Sequence, residues 1–164
     1  MAVSDVDHHV TIAREIAKNI ARDRAVIVFF ADSQKLSEFE KSSHFRKFTK
    51  RECLRETQTH IEKEAVIKKA TTAGQVTLST AVFGRGTDFF CNDRKVIMKG
   101  GVHVIGTFLS LDNCEEVQIQ GRTSRQGQEG SFGAILNCED PGMSDSSQQH
   151  SCNVHVPPLR CRMP

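Results

Sequence analysis

The run Ala25-Val-Ile-Val-Phe-Phe-Ala31 constrains this chain more than any other stretch. It is apolar throughout, β-branched and aromatic at its centre, and too short to cross a bilayer. A strand with one solvated face would alternate apolar and polar residues, whereas this one does not. Both of its faces must therefore be buried, as in a central strand of a parallel sheet. Such a strand needs helices over both faces, so crossover helices are expected on either side of it in sequence.

They are legible. Ile12, Ile16 and Ile20 recur every four residues while Arg14, Glu15 and Lys18 fall on other faces, which predicts a one-sided buried helix from Val10 to Arg24. After the apolar run, Asp32 or Ser33 can cap a second helix carrying Leu36 and Phe39. Residues 44–69 hold eight Lys or Arg against four Glu, and the first half of this stretch gives no assignment. Thr59 with Glu62 forms a capping-box pattern that opens a helix through Ile61, Ala65, Val66 and Ala70, ended by Gly74. Gln75 to Thr80 reads as a strand, Gly84-Arg-Gly86 as a turn, and Val102 to Ile105 as a strand after Gly100-Gly101. Asp112 with Glu115 opens another helix that ends near Gly121.

This alternation over residues 10–136 predicts an α/β fold with a parallel sheet and right-handed crossovers. Past Cys138 the pattern stops, and residues 139–164 are rich in Ser, Pro, Gln and Asp, so a single domain over 1–138 and a disordered C-terminal tail over 139–164 are expected. A chain of 164 residues has room for one such domain and not for a multi-domain motor.

Lys and Arg number 22 against 20 Asp and Glu, and the resulting charge of +2 exerts no global pull on nucleic acid or anionic lipid. Binding of either must be local. Asp5 and Asp7 stand where a signal peptide would be positive, and the six cysteines form no CxxC pair, so reduced thiols and a cytoplasmic location are expected.

In an open α/β sheet, ligands sit beyond the carboxyl ends of the strands. Two polar clusters follow elements there. In Ser79-Thr-Ala-Val-Phe-Gly-Arg-Gly-Thr-Asp88, Gly84 and Gly86 allow close backbone approach while Arg85 and Asp88 project charge. In Gln118-Ile-Gln-Gly-Arg-Thr-Ser-Arg-Gln-Gly127, Arg122 and Arg125 are three apart between glycines, and guanidinium forks suit phosphate oxygens. Alone, the first is an ordinary surface turn lacking the third glycine of a dinucleotide fingerprint, and the second a solvated helix end. Their joint occurrence in this order argues for a phosphate site.

Together they resemble motifs V and VI of superfamily 2 helicases. Val76-Thr-Leu-Ser-Thr-Ala-Val-Phe-Gly-Arg-Gly-Thr-Asp88 and Gly100-Gly-Val-His-Val-Ile-Gly-Thr107 are similar specifically to the SecA preprotein-translocase ATPase family, over about residues 9–140. The resemblance implies a RecA-like parallel sheet flanked by helices, of the helicase C-terminal or second-motor type. It implies that Arg85 reaches the γ-phosphate of ATP held on another motor domain, with Arg122 and Arg125 neutralising charge during phosphoryl transfer. It further implies that Gly84, Gly86, Thr87, Asp88 and Gln118 contact the nucleotide or couple it to domain closure. Ser124 stands where the family has glycine. Thr107-Phe-Leu-Ser-Leu-Asp112 departs from the charged loop of bacterial SecA and looks like SecA-like domains embedded in eukaryotic proteins.

No Gly-x-x-x-x-Gly-Lys-Ser/Thr and no strand ending in Asp-Glu is present, so the cradle for ATP and Mg²⁺ is expected on a partner, a first RecA-like motor domain with Walker A and B motifs. Alone, the chain is not expected to hydrolyse ATP or to bind it tightly. A polypeptide substrate is the implied cargo, with peripheral membrane association as an open alternative. Two other function classes compete: a helicase half acting on RNA or DNA, and a non-catalytic interaction fragment.

Two weaker constellations complete the reading. His150, Cys152, His155 and Cys161 offer four zinc ligands, but their spacing matches no zinc finger, and a tail containing them by chance is preferred, so no metal is expected. Phe45 and Phe48 with Arg46, Lys47, Lys50 and Arg51 suggest a nucleic-acid patch, against which stands a solvated helix face with two buried Phe.

Overall fold

The computed structural model describes residues 5–84, 87, 89–108 and 130–136. In chain order the elements are α1 (Asp5–Ile20), β1 (Val26–Phe30), α2 (Ser33–Lys41), α3 (Ser43–Arg46), β2 (Arg51–Cys53), α4 (His60–Ala70), β3 (Val76–Thr80), a 3₁₀ turn (Ala81–Gly84), α5 (Arg94–Met98), β4 (His103–Gly106) and β5 (Ser131–Ala134). The five strands form one parallel sheet in the order β2-β3-β1-β4-β5.

The unalternating run is the middle strand, as its composition requires. Every residue of β1 is buried, and Val28 stands opposite Leu78 on one side and Ile105 on the other. Its side chains divide between two cores. Val26, Val28 and Phe30 pack with Ile12, Ile16, Leu36 and Phe39 under α1 and α2, while Ile27 and Phe29 pack with Val66, Ala70 and Val96 under α4 and α5. The sheet is thus covered on both faces.

The helices differ in detail from their sequence patterns. α1 begins at Asp5, more than a turn before Val10, and its first turns reach β5: His8 Nε2 lies 3.0 Å from the Ile135 carbonyl. α2 is capped by Asp32, which accepts from the N–H groups of Gln34 and Lys35. The Thr59–Glu62 capping box is present, but Ile61 and Ala65 face solvent, and α4 buries Val66 and Ala70 only. The unassigned basic stretch becomes α3 and β2. Ser42 caps α3, Phe45 is buried and Phe48 packs on the core, with Arg46, Lys47, Lys50 and Arg51 exposed. The expected helix from Asp112 and the tail 139–164 lie outside the described residues.

At the amino ends of the strands a buried polar ring ties the elements together, and sequence periodicity gave no sign of it. Arg24, just before β1, is 7% exposed. Its Nε donates to the Gly101 carbonyl at 2.9 Å and its Nη2 to the Gly100 carbonyl at 2.8 Å. Gly100 and Gly101 have φ of +93° and +72°, a conformation that only glycine adopts readily. Nη1 donates to Asn19 Oδ1 at 3.0 Å, and Asn19 Nδ2 donates to Glu15 Oε1 at 3.1 Å. Nη2 also donates to Ser131 Oγ at 2.7 Å, and the Ser131 hydroxyl is hydrogen-bonded to His103 Nδ1, 2.7 Å away. His103 Nε2 lies 3.7 Å from Glu15 Oε1.

Candidate nucleotide-facing site

β1 and β3 are neighbours, yet the chain leaves them towards opposite faces. From β1 it passes to α2 and the first core, and from β3 through the 3₁₀ turn to Phe83 and the second. A crevice at the carboxyl ends of the strands follows from that divergence, and it is where open α/β sheets bind ligands. The Ser79–Asp88 cluster begins there.

Phenylalanines anchor this cluster on both sides. Phe83 and Phe89 are both buried in the α4/α5 core, and Phe89 meets the β1 residue Phe29 edge-on with ring centroids 6.2 Å apart. Gly84 is buried at the end of the 3₁₀ turn, and Thr87 is half-buried in an open groove of roughly 490 Å³ shared with Lys63, Ile67 and Phe83. Lys63 Nζ lies 5.7 Å from the centre of the Phe83 ring, adding positive charge beside the loop.

Beyond Phe89 the chain is braced again. Asp93 accepts from the Ala73 and Lys95 N–H groups, both at 2.9 Å, which holds its carboxyl below the usual aspartate range. Burial pushes the Cys91 thiol up, and its Sγ lies 3.5 Å from the Thr71 carbonyl. On the other side of β1, Thr107 fastens the exit of β4: its N–H and its hydroxyl both donate to the Phe29 carbonyl, at 3.1 and 3.0 Å. The hydroxyls of Thr77, Ser79 and Thr80 on β3 are buried with no hydrogen-bond partner among the described residues.

Of the sequence-predicted site residues, Gly84 and Thr87 are thus located. Arg85, Gly86, Asp88, Gln118, Arg122 and Arg125 lie outside the described residues, as do His150, Cys152, His155 and Cys161. Among the described residues no group of three or more His, Cys, Asp or Glu side chains gathers to hold a metal. Sequence analysis passed over Phe83, Phe89 and Thr107; the spacing of the two Phe around a Gly-Arg-Gly turn was the available signal.

No family model matches the chain. Individual relatives do. The protein translocase subunit SecA of Halothermothrix orenii is 35% identical over 132 residues, covering 79% of this chain and 15% of that protein. SecA of Syntrophobacter fumaroxidans is 37% identical over 133 residues, with 79% and 15% covered.

The chain is a SecA-like domain.

It spans about 15% of the length of these SecA proteins. Among solved structures, it is similar to Mss116p DEAD-box helicase domain 2 bound to an RNA duplex, with TM-score 0.60, 20% identity, and 82% of this chain and 51% of that one covered. It is also similar to the C-terminal domain of the DEAD-box protein Dbp5, with TM-score 0.55, 16% identity, and 82% and 71% covered. The fold of this SecA-like domain is therefore that of a RecA-like helicase C-terminal domain. No described helix is long and apolar enough to cross a membrane.

Proposed function

We propose that this domain is the second motor half of a SecA-type, ATP-driven polypeptide translocase. In this reading it supplies arginines to a nucleotide whose cradle lies on a first motor domain. The observation that carries the reading is the sequence Gly-Arg-Gly-Thr-Asp over 84–88, which begins at the buried Gly84 beyond the carboxyl end of β3, in a chain 35% identical over 132 residues to a SecA protein.

The donor set fits the phosphate end of ATP. Arg85, Arg122 and Arg125 provide forked cationic donors, and Gly84 and Gly86 let the main chain approach. Thr87, Asp88 and Gln118 offer hydroxyl, carboxylate and amide groups for orienting the nucleotide or sensing domain closure. Mg²⁺ and the β-phosphate belong to the partner's Walker motifs, since neither motif occurs in this sequence. The arginines then stabilise charge that develops on the transferring phosphoryl group.

The test pairs the full chain with a first motor domain of a SecA relative and measures magnesium-dependent ATP turnover. Activity is expected only with both present, and Arg85→Ala or Arg122→Ala should lower it by about 10³-fold without changing the fold. Full activity in these variants would refute the half-site role.

A further inference from the structure

The open edge of the sheet carries a separate feature. Among the described residues β2 pairs on one side only, with β3. In that ladder the Lys50 carbonyl accepts from Val76 N–H at 3.0 Å, and Leu54 N–H donates to the Leu78 carbonyl at 2.8 Å. Strand alternation therefore turns the main-chain groups of Arg51 and Cys53 to the open side. There the side-chain amide of Gln58 donates to the Cys53 carbonyl at 3.1 Å and accepts from Arg55 N–H at 2.8 Å. One residue of an added parallel strand makes that same pair of bonds, to a carbonyl and from the amide two residues on. Gln58 thus fills one rung of an absent sixth strand. The preceding rung, the Arg51 carbonyl and the Cys53 N–H, has no partner among the described residues.

Around this rung lies a groove of roughly 520 Å³ whose walls include Lys41, Arg46, Arg51 and Arg55 together with Glu40 and Glu52. Both carboxylates are engaged. Glu40 pairs with Arg55 and accepts from the Cys53 thiol, and Glu52 pairs with Lys69 at 2.9 Å. Lys41, Arg46 and Arg51 have no carboxylate partner among the described residues. Arg51 is positioned in advance, because its Nη1 donates to the carbonyls of Arg46 and Phe48 at 3.2 and 2.8 Å. Phe45 is buried and Phe48 packs on the core, so no aromatic platform is offered to nucleic-acid bases.

We propose that the β2 edge binds an extended acidic peptide as a parallel sixth strand, with its main chain on the Arg51–Cys53 rung and its carboxylates on Lys41, Arg46 and Arg51. Main-chain hydrogen bonds give such a strand its affinity and the side chains its selectivity. A cationic edge rejects apolar or basic strands, which would leave the guanidinium groups desolvated and unpaired. This proposal does not depend on the arginine half-site.

The test titrates the full chain into a labelled peptide of alternating Glu and Val and follows fluorescence anisotropy. Binding is expected, with Arg46→Glu or Arg51→Glu weakening it by about tenfold or more while Lys99→Glu, on α5's exposed side, leaves it unchanged. Gln58→Ala, which vacates the neighbouring rung, strengthens it. N-methylation of alternate peptide amides abolishes it. No binding, unchanged binding of the N-methylated peptide, equal binding of a Lys–Val peptide, or tighter binding of oligouridylate at the same residues overturns the proposal. Circular dichroism of each variant separates lost binding from lost fold, and a peptide that binds only unfolded variants also counts against it.

Discussion

Replacing Arg24 by Ala should cost this domain about 4 kcal/mol, a large part of the total stability of about 5–15 kcal/mol typical of a domain. The figure follows from what the guanidinium leaves behind. The Val102 carbonyl keeps a bond from Ser131 N–H at 3.1 Å, and the Gly100 carbonyl is only partly buried, so neither is stranded. The Gly101 carbonyl, Asn19 Oδ1 and Ser131 Oγ are buried and lose their donor. Each costs about 1–3 kcal/mol, and the total is lowered where side chains can turn. The glycine carbonyl cannot follow, because it is fixed by the positive φ of the pair. Burial, and then Arg22, push the Arg24 pKa down while Glu15 opposes them, yet a guanidinium stays charged at any accessible pH. Lysine is therefore no remedy: one ammonium cannot span the fork, and Arg24→Lys should recover less than half of the loss. Urea denaturation reads the effect as a midpoint lowered by about 2 M at unchanged slope. A loss below about 1 kcal/mol, or strict additivity of Arg24→Ala with Ser131→Ala, would refute the coupling of this polar cluster.

Two further expectations concern single groups. Glu62 accepts from the Thr59 N–H and hydroxyl at 2.8 and 2.9 Å, which holds its carboxyl below the ordinary 4.5. The folded value lies under the unfolded one, so the cap's contribution is present above the ordinary value and is lost as pH falls through the lowered one. An NMR titration should find the Glu62 midpoint below 4.5, and Thr59→Ala should return it towards 4.5. Burial, then the hydrogen bond to Glu40, push the Cys53 thiol up to about 12. At pH 8 roughly one such thiol in 10⁴ is then ionised, so site-resolved mass spectrometry should find Cys53 slow to alkylate and faster in Glu40→Gln. Equal rates would remove Glu40 from the account.

The elements that sequence made legible are those whose evidence is local. An apolar run without alternation can only be a strand covered on both faces, and β1 is that strand. A capping box needs four residues in a row, and Thr59 to Glu62 forms one. Where periodicity misled, the apolar residues of α4 do not share one buried face: Ile61 is 79% exposed while Val66 and Ala70 are buried. The basic stretch before it stayed unread because α3 and β2 are too short to show a period, with four and three residues.

The two ends of the sheet differ in the same way. At the carboxyl end, the first candidate cluster is written as a contiguous Gly-Arg-Gly turn, and Phe83 and Phe89 are its neighbours in sequence. At the amino end, the supporting ring joins residues up to 107 positions apart, and none of its members is unusual where it stands. Asn19 and Arg24 look like a solvated helix end, and Gly100-Gly101 like an ordinary turn. Only the parallel pairing of β4 with β1 and β5 brings Gly101, His103 and Ser131 around one guanidinium. Burial of a charge is tolerated there because each nitrogen of the guanidinium donates to an acceptor, and that condition belongs to the whole fold. A ring of this kind fixes the register of three strands and α1 at the edge remote from the loops.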